Sequence, residues 1–231
     1  MIRKKNILAI IPARGGSKGI PRKNIKLLFG KPLISYSITE ALKSIYINKV
    51  IVSTEDSEIA KISQKYGAEV LERPNELATD TADSDEVIFH VLQELKKKHF
   101  RTDLVVFLQP TSPLRRATDI DTAIKIFCDH DCDSVISVSE PPHSPFWCFT
   151  IENTFLKPIF DERFLHTRRQ DLPVSYIPNG AIYISTPEKL THNNGFYGKK
   201  IIPYIMSPET SIDIDNRNDF AIAEMAMKQR E

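Results

Sequence analysis

The chain has 231 residues, 41% of them hydrophobic and 26% charged, with 8 Gly and 15 Pro. That composition is globular and excludes disorder, collagen and coiled coil, and a chain of this length buries about 70% of its unfolded surface, enough for one sizeable core. Net charge is +1, from 31 Lys and Arg against 30 Asp and Glu, which leaves no global pull toward nucleic acid or a membrane surface.

The charge is unevenly spread. Residues 1–39 carry nine cations (Arg3, Lys4, Lys5, Arg14, Lys18, Arg22, Lys23, Lys26, Lys31) and no acid, so an anion site is expected near the N-terminus. The apolar run Ile7–Ile11 is too short for a signal-peptide core or a membrane span. Continued to Ala13, it predicts a strand buried on both faces, and the glycine-rich, basic segment Arg14–Asn24 follows it directly. Lys31–Ser44 has helical spacing (Leu33, Ile34, Ser37, Ile38, Ala41, Leu42), with Pro32 tolerated in a first turn.

A strand at Lys49–Ser53, a helix at Ser57–Tyr66 and a third strand at Ala68–Leu71 come next. After a Pro-, Asp- and Thr-rich loop (Arg73–Asp83), Val87, Ile88, Val91, Leu92 and Leu95 mark Ser84–Lys98 as an amphipathic helix. Leu104–Leu108 is a strand ending in a proline-punctuated turn, followed by a helix from about Ala117 to Phe127 and a strand at Ser134–Val138. This alternation predicts an α/β fold, a mostly parallel open sheet with helices on both faces. The rhythm breaks between Glu140 and Pro178, where prolines and aromatics are frequent and no helical period exists. Two readings of that stretch stand open: an excursion that docks on a partner subunit, or a β-rich flap folded back on its own domain. Gly180–Ile184 and Ile201–Met206 return to strand character, and Asn216–Lys228 closes the chain as a helix.

Four segments carry candidate chemistry. In Pro12-Ala-Arg-Gly-Gly-Ser-Lys-Gly19 with Pro21-Arg-Lys-Asn24, glycines free backbone N–H groups, and Arg14, Lys18 and Lys23 supply charge for phosphate oxygens. The segment matches neither the P-loop nor the GxGxxG pattern, and a solvated basic turn is the competing reading. In Ser211-Ile-Asp-Ile-Asp215, residues two apart on extended backbone share a face, so Asp213 and Asp215 project together and suit a hydrated Mg²⁺ beside a polyphosphate. Asp215 also precedes a helix and competes as its N-cap. Leu108-Gln-Pro-Thr-Ser-Pro-Leu-Arg115 offers Gln109 and Ser112 as hydrogen-bonding groups and Arg115 as a charge, against the simpler reading of a proline-stiffened turn. His166-Thr-Arg-Arg-Gln-Asp-Leu-Pro173 places Arg168 and Arg169 where a guanidinium could grip a carboxylate, or serve as surface ion-pair residues. The six histidines form no HExxH or triad grouping, and Cys128, Cys132 and Cys148 form no CxxC or zinc pattern. A reduced cytoplasmic protein without a structural metal is expected.

Together, Ile11-Pro-Ala-Arg-Gly-Gly-Ser-Lys-Gly with Lys23-Asn24, Ile51-Val-Ser-Thr, Arg73-Pro, Leu108-Gln-Pro-Thr-Ser-Pro-Leu-Arg, Arg169-Gln with Leu172-Pro, Pro178-Asn-Gly-Ala-Ile-Tyr and Ser211-Ile-Asp-Ile-Asp resemble the CMP-acylneuraminate cytidylyltransferases, across essentially the whole chain. The resemblance implies a Rossmann-like nucleotidyltransferase fold over residues 1–231, with a protruding dimerisation and substrate arm at about 140–178. It implies that CTP and a nine-carbon 2-keto sugar acid, sialic or legionaminic, give the CMP-sugar and pyrophosphate. Arg14, Lys18, Lys23, Asp213 and Asp215 would then be catalytic. Ala13, Arg14, Ser17, Lys18, Lys23 and Asn24 would hold the CTP, and Arg73 and Ser84 would lie near its cytidine. Asp213 and Asp215 would hold Mg²⁺, and Gln109, Arg169, Tyr183 and Phe196 would meet the sugar acid. A metal-bound water or one of the two aspartates is the implied proton acceptor, and a homodimer the implied assembly. Ile177, where some sialic acid enzymes carry Arg, points toward a less polar sugar, and the absence of an Asp at Thr111 points away from the eight-carbon acid Kdo. The alternatives are a CMP-pseudaminic acid synthetase, a nucleotidylyltransferase acting on sugar 1-phosphates, and a binding module on the same fold without catalysis.

Overall fold

A computed structural model describes residues 2–17, 19–79 and 83–229. In chain order the elements are β1 (Ile7–Pro12), β2 (Leu27–Leu28), β3 (Lys31–Pro32), α1 (Leu33–Lys43), β4 (Lys49–Thr54), α2 (Ser57–Lys65), β5 (Glu69–Glu72), α3 (Ser84–Lys97), β6 (Leu104–Phe107), α4 (Ala117–Asp129) and β7 (Ser134–Ser139). Then come β8 (Phe149–Glu152), β9 (Phe155–Pro158), β10 (Ile177–Ser185), α5 (Pro187–Asn193), β11 (Ile201–Ile205) and α6 (Arg217–Lys228). Among the described residues, seven strands form one sheet in the order β11-β7-β10-β6-β1-β4-β5. β1 pairs in parallel with β4 and β6, β4 with β5, and β7 with β11.

β1 shows why the sheet is covered on both sides. Ile7, Ala9 and Ile11 point into a core with Ile34 and Ile38 of α1, Ile59 of α2 and Ile120 and Ile124 of α4. Leu8 and Ile10 point the other way, against Ile88, Val91 and Leu95 of α3 and Leu190 of α5. An alternation in which both sets are apolar is what a doubly covered parallel strand requires. Capping agrees with this reading: the Asp56 side chain accepts from Glu58 N and Ile59 N at the start of α2, and Asp83 from Asp85 N at the start of α3.

β10 is the antiparallel exception, pairing with β6 on one side and β7 on the other. The chain leaves β7 at Ser139, makes its excursion, and re-enters at the same end of the sheet, where Ile177 pairs with Ser139. No crossover helix carries it to the far end, so it returns in the opposite direction. β10 is longer than the predicted Gly180–Ile184 and is bulged between Pro178 and Tyr183. α5 and the β2–β3 ribbon are further departures from the predicted elements. The signal for α5, Thr186 as N-cap with Pro187 in the first turn, was present but lay within a short polar stretch.

Between β7 and β10 the excursion holds the β8–β9 hairpin, turned through Asn153 and Thr154 at φ 48 and 73°. Phe146 stacks on Phe160 and Phe164 with ring centroids 4.9 and 4.7 Å apart, and Trp147 Nε1 donates to the Phe164 carbonyl at 2.9 Å. Other apolar side chains stay in the open: Ile151 is 72% exposed, Phe155 75% and Leu156 66%. Accessible surface totals 13141 Å², about a quarter above the roughly 10,600 Å² expected for a compact chain of this length. No helix among the described residues is long and apolar enough to cross a membrane.

At the carboxyl end of β6, the expected ligand groups Ser112 and Arg115 turn out to be structural. Ser112 is buried, with its hydroxyl on the Asn179 carbonyl at 3.3 Å. Arg115 is 2% exposed and donates to the Ala181 carbonyl at 2.6 Å, the Gln109 carbonyl at 3.3 Å and the Ser37 hydroxyl at 2.6 Å, tying β10, the β6 turn and α1 together. Burial pushes its guanidinium down to about 10, with Asp119 and Glu40 opposing. Replacing it strands these acceptors: Arg115→Met is expected to cost about 2–4 kcal/mol, read as a lower urea midpoint with an unchanged slope.

Candidate active site

A cavity of about 400 Å³ opens over the carboxyl ends of β1 and β6, the position at which open α/β sheets bind ligands. Of the residues singled out in the sequence, Arg14, Ser17, Lys23, Asn24, Arg73, Ser84, Gln109, Asp213 and Asp215 line it. Lys18 lies outside the described residues. Ala13 and Arg169 are not brought to the cavity. Ala13 is fully buried, its N–H on the Ser53 carbonyl at 3.0 Å. Arg169 sits in the excursion, donating to the Pro142 carbonyl at 3.3 Å, and lines a separate hollow of about 390 Å³ with Glu140, Ser144 and Leu172.

The basic loop after β1 is held in place by acids from the neighbouring strand turn. Gly15 N donates to Glu55 Oε1 at 2.6 Å, and Arg22, at φ 57°, pairs with Asp56 and with Glu58 at 2.6 Å. Asn24 Nδ2 donates to the Arg14 carbonyl at 3.0 Å, and Arg14 Nη1 to the Thr79 carbonyl at 2.9 Å. Arg73 is buried, donating to the Ser53 carbonyl at 2.6 Å and the Leu77 carbonyl at 3.2 Å. Burial pulls its guanidinium below the usual range, against the favourable charge of Glu55.

Lys23 reaches across the chain to the acidic pair. Its Nζ is 2.7 Å from the Ile214 carbonyl and 3.3 Å from Asp215 Oδ1. The N-cap of α6 is Asn216, whose side chain accepts from Asn218 N and Asp219 N, so the Asp215 carboxylate is not used for capping. Asp213 Oδ1 is buried without a hydrogen-bond partner. Burial pushes this carboxyl above the usual range, with the Thr111 hydroxyl opposing and the Asp215 charge adding to the rise. Among the described residues no three His, Cys, Asp or Glu side chains converge as a ready-made metal cage. Two carboxylates, one with an orphaned buried oxygen, do fit Mg²⁺, which retains water and takes the rest of its shell from substrate phosphates.

Gln109 marks the boundary with a second cavity of about 220 Å³, lined also by Ser84, Asp85, Phe107, Tyr183, Phe196 and Tyr197. Gly180, at φ +74°, lies against Gln109 so closely that a β-carbon would collide with Oε1. Asn179 holds this bulge to the acidic segment, donating to Ser211 Oγ at 2.9 Å and accepting from Ser137 Oγ at 2.6 Å. The walls are aromatic: Phe107, Tyr183 and Phe196 have centroids 6.1, 5.4 and 6.0 Å apart. Burial and the neighbouring Tyr197 push the Tyr183 hydroxyl above the usual phenol range. Asp85 was missed in the sequence because an acid in the first turn of a helix reads as dipole compensation. Here burial, then the charge of Asp83, pushes it up to about 6.

Residues 8–155 match the family model described as Cytidylyltransferase. The chain is 40% identical over 225 residues to the N-acylneuraminate cytidylyltransferase of Escherichia coli, an alignment covering 95% of this chain and 52% of that protein, so it spans about half the length of that relative. It is 38% identical over 229 residues to the CMP-N,N'-diacetyllegionaminic acid synthase of Legionella pneumophila, covering 96% of each. In fold it superposes on CMP:2-keto-3-deoxy-manno-octonic acid synthetase, solved with CTP, at a TM-score of 0.74 and 17% identity, covering 98% of this chain and 100% of that one.

The raised Asp85 carboxyl has a thermodynamic signature. Its contribution to stability is fully present below the unfolded value of 3.8 and is lost as pH rises through about 6. Asp85→Asn is therefore expected to melt about 2–4 °C above the unchanged protein at pH 8, the shift being moderated by solvent, and at the same temperature at pH 4, by calorimetry at both pH values.

Proposed function

The chain belongs to the cytidylyltransferase family, and we propose that it joins CTP to a nine-carbon 2-keto sugar acid, sialic or legionaminic acid, releasing pyrophosphate. The observation that carries this reading is the joined pair of cavities. One combines Arg14 and Lys23 with Asp213 and Asp215, and the other is walled by Phe107, Tyr183 and Phe196, with Gln109 and Ser84 lining both. A triphosphate suits the first and a sugar the second, which brings a hydroxyl of the acid to the α-phosphate at their boundary.

The anomeric 2-hydroxyl attacks the α-phosphate as its proton passes to one of the two aspartates, Asp213 or Asp215, and the bond to pyrophosphate breaks on the opposite side. Arg14 and Lys23, with Lys18, stabilise the negative charge that accumulates on the phosphate oxygens. Lys23 is tethered by the Ile214 carbonyl, so its ammonium is positioned before the nucleotide arrives. Arg73 and Ser84 lie on the nucleoside side, Gln109 at the junction, and Tyr183 and Phe196 on the sugar side. Asp213 and Asp215 would hold Mg²⁺, which when bound neutralises phosphate charge. CTP is a cytoplasmic nucleotide, and the cytoplasm is where the enzyme works.

The excursion at about 140–178 is the dimerisation and substrate arm of a homodimer in this reading. Support comes from its exposed Ile151, Phe155 and Leu156 and from the accessible surface in excess of a compact chain. Arg169, remote from the cavity of its own chain, serves the sugar acid in the partner's site.

The first test is pyrophosphate release with CTP and Mg²⁺ in the presence of sialic, legionaminic or pseudaminic acid, Kdo, or no acid. Release that depends on sialic or legionaminic acid is expected, and Asp215→Ala should reduce it by about 10² or more with the fold intact. Silence with all four acids despite CTP binding would move the assignment to a binding module, and turnover of sugar 1-phosphates to a different transferase. For the arm, co-expressed Asp215→Ala and Arg169→Ala chains should recover up to about a quarter of normal activity, because half the dimers are mixed and each has one complete site. No recovery would sink the shared site.

A further inference from the structure

Asp85 lies in the aromatic cavity without a donor to bind it. Its backbone N–H goes to Asp83 Oδ1 at 3.1 Å, so Asp83 is engaged in capping α3, while the Asp85 carboxylate receives no hydrogen bond from any described residue. It is held by close packing instead. Gly195, at φ +125°, lays its backbone against that carboxylate, and a β-carbon there would collide with Oδ2 and lie 2.9 Å from Cγ. Only glycine tolerates both the conformation and the approach.

Compensation of the helix dipole accounts for an acid in the first turn, and Glu86 also stands there, exposed. It does not account for an acid lining a cavity beside Phe107, Tyr183 and Phe196. A half-buried carboxylate without a donor is unfavourable for the fold unless a ligand supplies the missing hydrogen bond. Asp83 also lines the cavity but is engaged in capping α3, so the Asp85 carboxylate is the acceptor there that no described residue engages, and with the rings around it the site favours a group that brings a donor and an apolar remainder.

We propose that Asp85 is a specificity-determining residue for the sugar acid. Its carboxylate accepts a hydrogen bond from an acylamino N–H or a hydroxyl of the sugar, and Gly195 is the positioning residue that fixes it there. The rings of Phe107, Tyr183 and Phe196 cover the apolar part of the same substituent. An acid with a carboxylate or phosphate at that position is excluded by like charge, and one with no donor is excluded by the unpaired anion it leaves. This inference rests on the proposed function above.

The test is steady-state pyrophosphate release at pH 8 by the unchanged enzyme, Asp85→Ala and Asp85→Asn. Two sugar acids are compared, alike except that one acylamino group is a hydrogen in the second. Asp85→Ala is expected to raise KM for the acylamino acid about tenfold or more, with KM for CTP within about twofold and kcat little changed, the mark of lost substrate binding. Asp85→Asn keeps a neutral acceptor and should lose less, and its melting temperature at pH 8 shows that the fold is intact. A loss that shrinks with the deoxy member identifies the N–H as the donor, and an equal loss with both identifies a hydroxyl elsewhere on the sugar; either supports the contact. An unchanged KM for both acids in both variants overturns it, as does a parallel loss for CTP and acid. If the unchanged enzyme turns over no sugar acid, the proposed function itself has failed, and that is read before any variant is compared.

Discussion

The site depends on how Ile214 is fastened. Its side chain is fully buried with Ile20, Leu28, Leu114 and Phe220, its N–H is 2.9 Å from the Thr111 carbonyl, and its own carbonyl takes the Lys23 ammonium at 2.7 Å. One residue near the C-terminus thereby locks the basic loop after β1, the turn after β6 and the start of α6 to a common point. Asp213 and Asp215 flank that residue and line the same cavity as the basic loop. The packing of a single isoleucine brings cations and carboxylates about 190 residues apart in sequence to the lining of one cavity.

The polar groups around the two cavities divide between those that brace the scaffold and those left open toward the cavities. Ser112, Asn179 and the two terminal nitrogens of Arg115 spend their hydrogen bonds on backbone and side-chain partners, and they fix the β6 turn and the β10 bulge. Asp213 instead keeps a buried carboxylate oxygen without a partner, the half-buried Asp85 carboxylate receives no hydrogen bond from a described residue, and burial raises both carboxyls. Acceptors left unmet beside two cavities that share Ser84 and Gln109 cost the fold stability, which in the proposed function a bound cation and a substrate donor would return.

Strands and helices were legible wherever apolar spacing was unambiguous. β1, β4, β7 and α1 to α4 fall within a few residues of the spacing-based expectation, because a doubly covered sheet demands apolar residues on both faces of each strand and one stripe on each helix. α5 escaped because seven residues carry too little period. Within the site, the basic loop, Gln109 and the Asp213-Ile-Asp215 pattern were readable from residue type and position. Three residues depended on which way a side chain turned. Arg115 looked like a ligand charge and is a buried brace, Asp215 reads as a metal ligand with a helix cap as the competing reading and leaves capping to Asn216, and Asp85, to which the sequence assigns no role, lines a cavity.

By itself, the sequence determined the fold class, the order of the main strands and helices up to β7, and the chemical kinds of group at the carboxyl ends of the strands. All of these follow from local periodicity, turn residues and short motifs, which act over a few residues. Only the tertiary structure decided which of those groups meet. The antiparallel return of β10, the bulge at Gly180 that makes room for Gln109, the reach of Lys23 to Ile214 and the approach of Gly195 to Asp85 each join residues tens to hundreds of positions apart. Such contacts are set by how the sheet and its helices pack in three dimensions, and no local spacing encodes them.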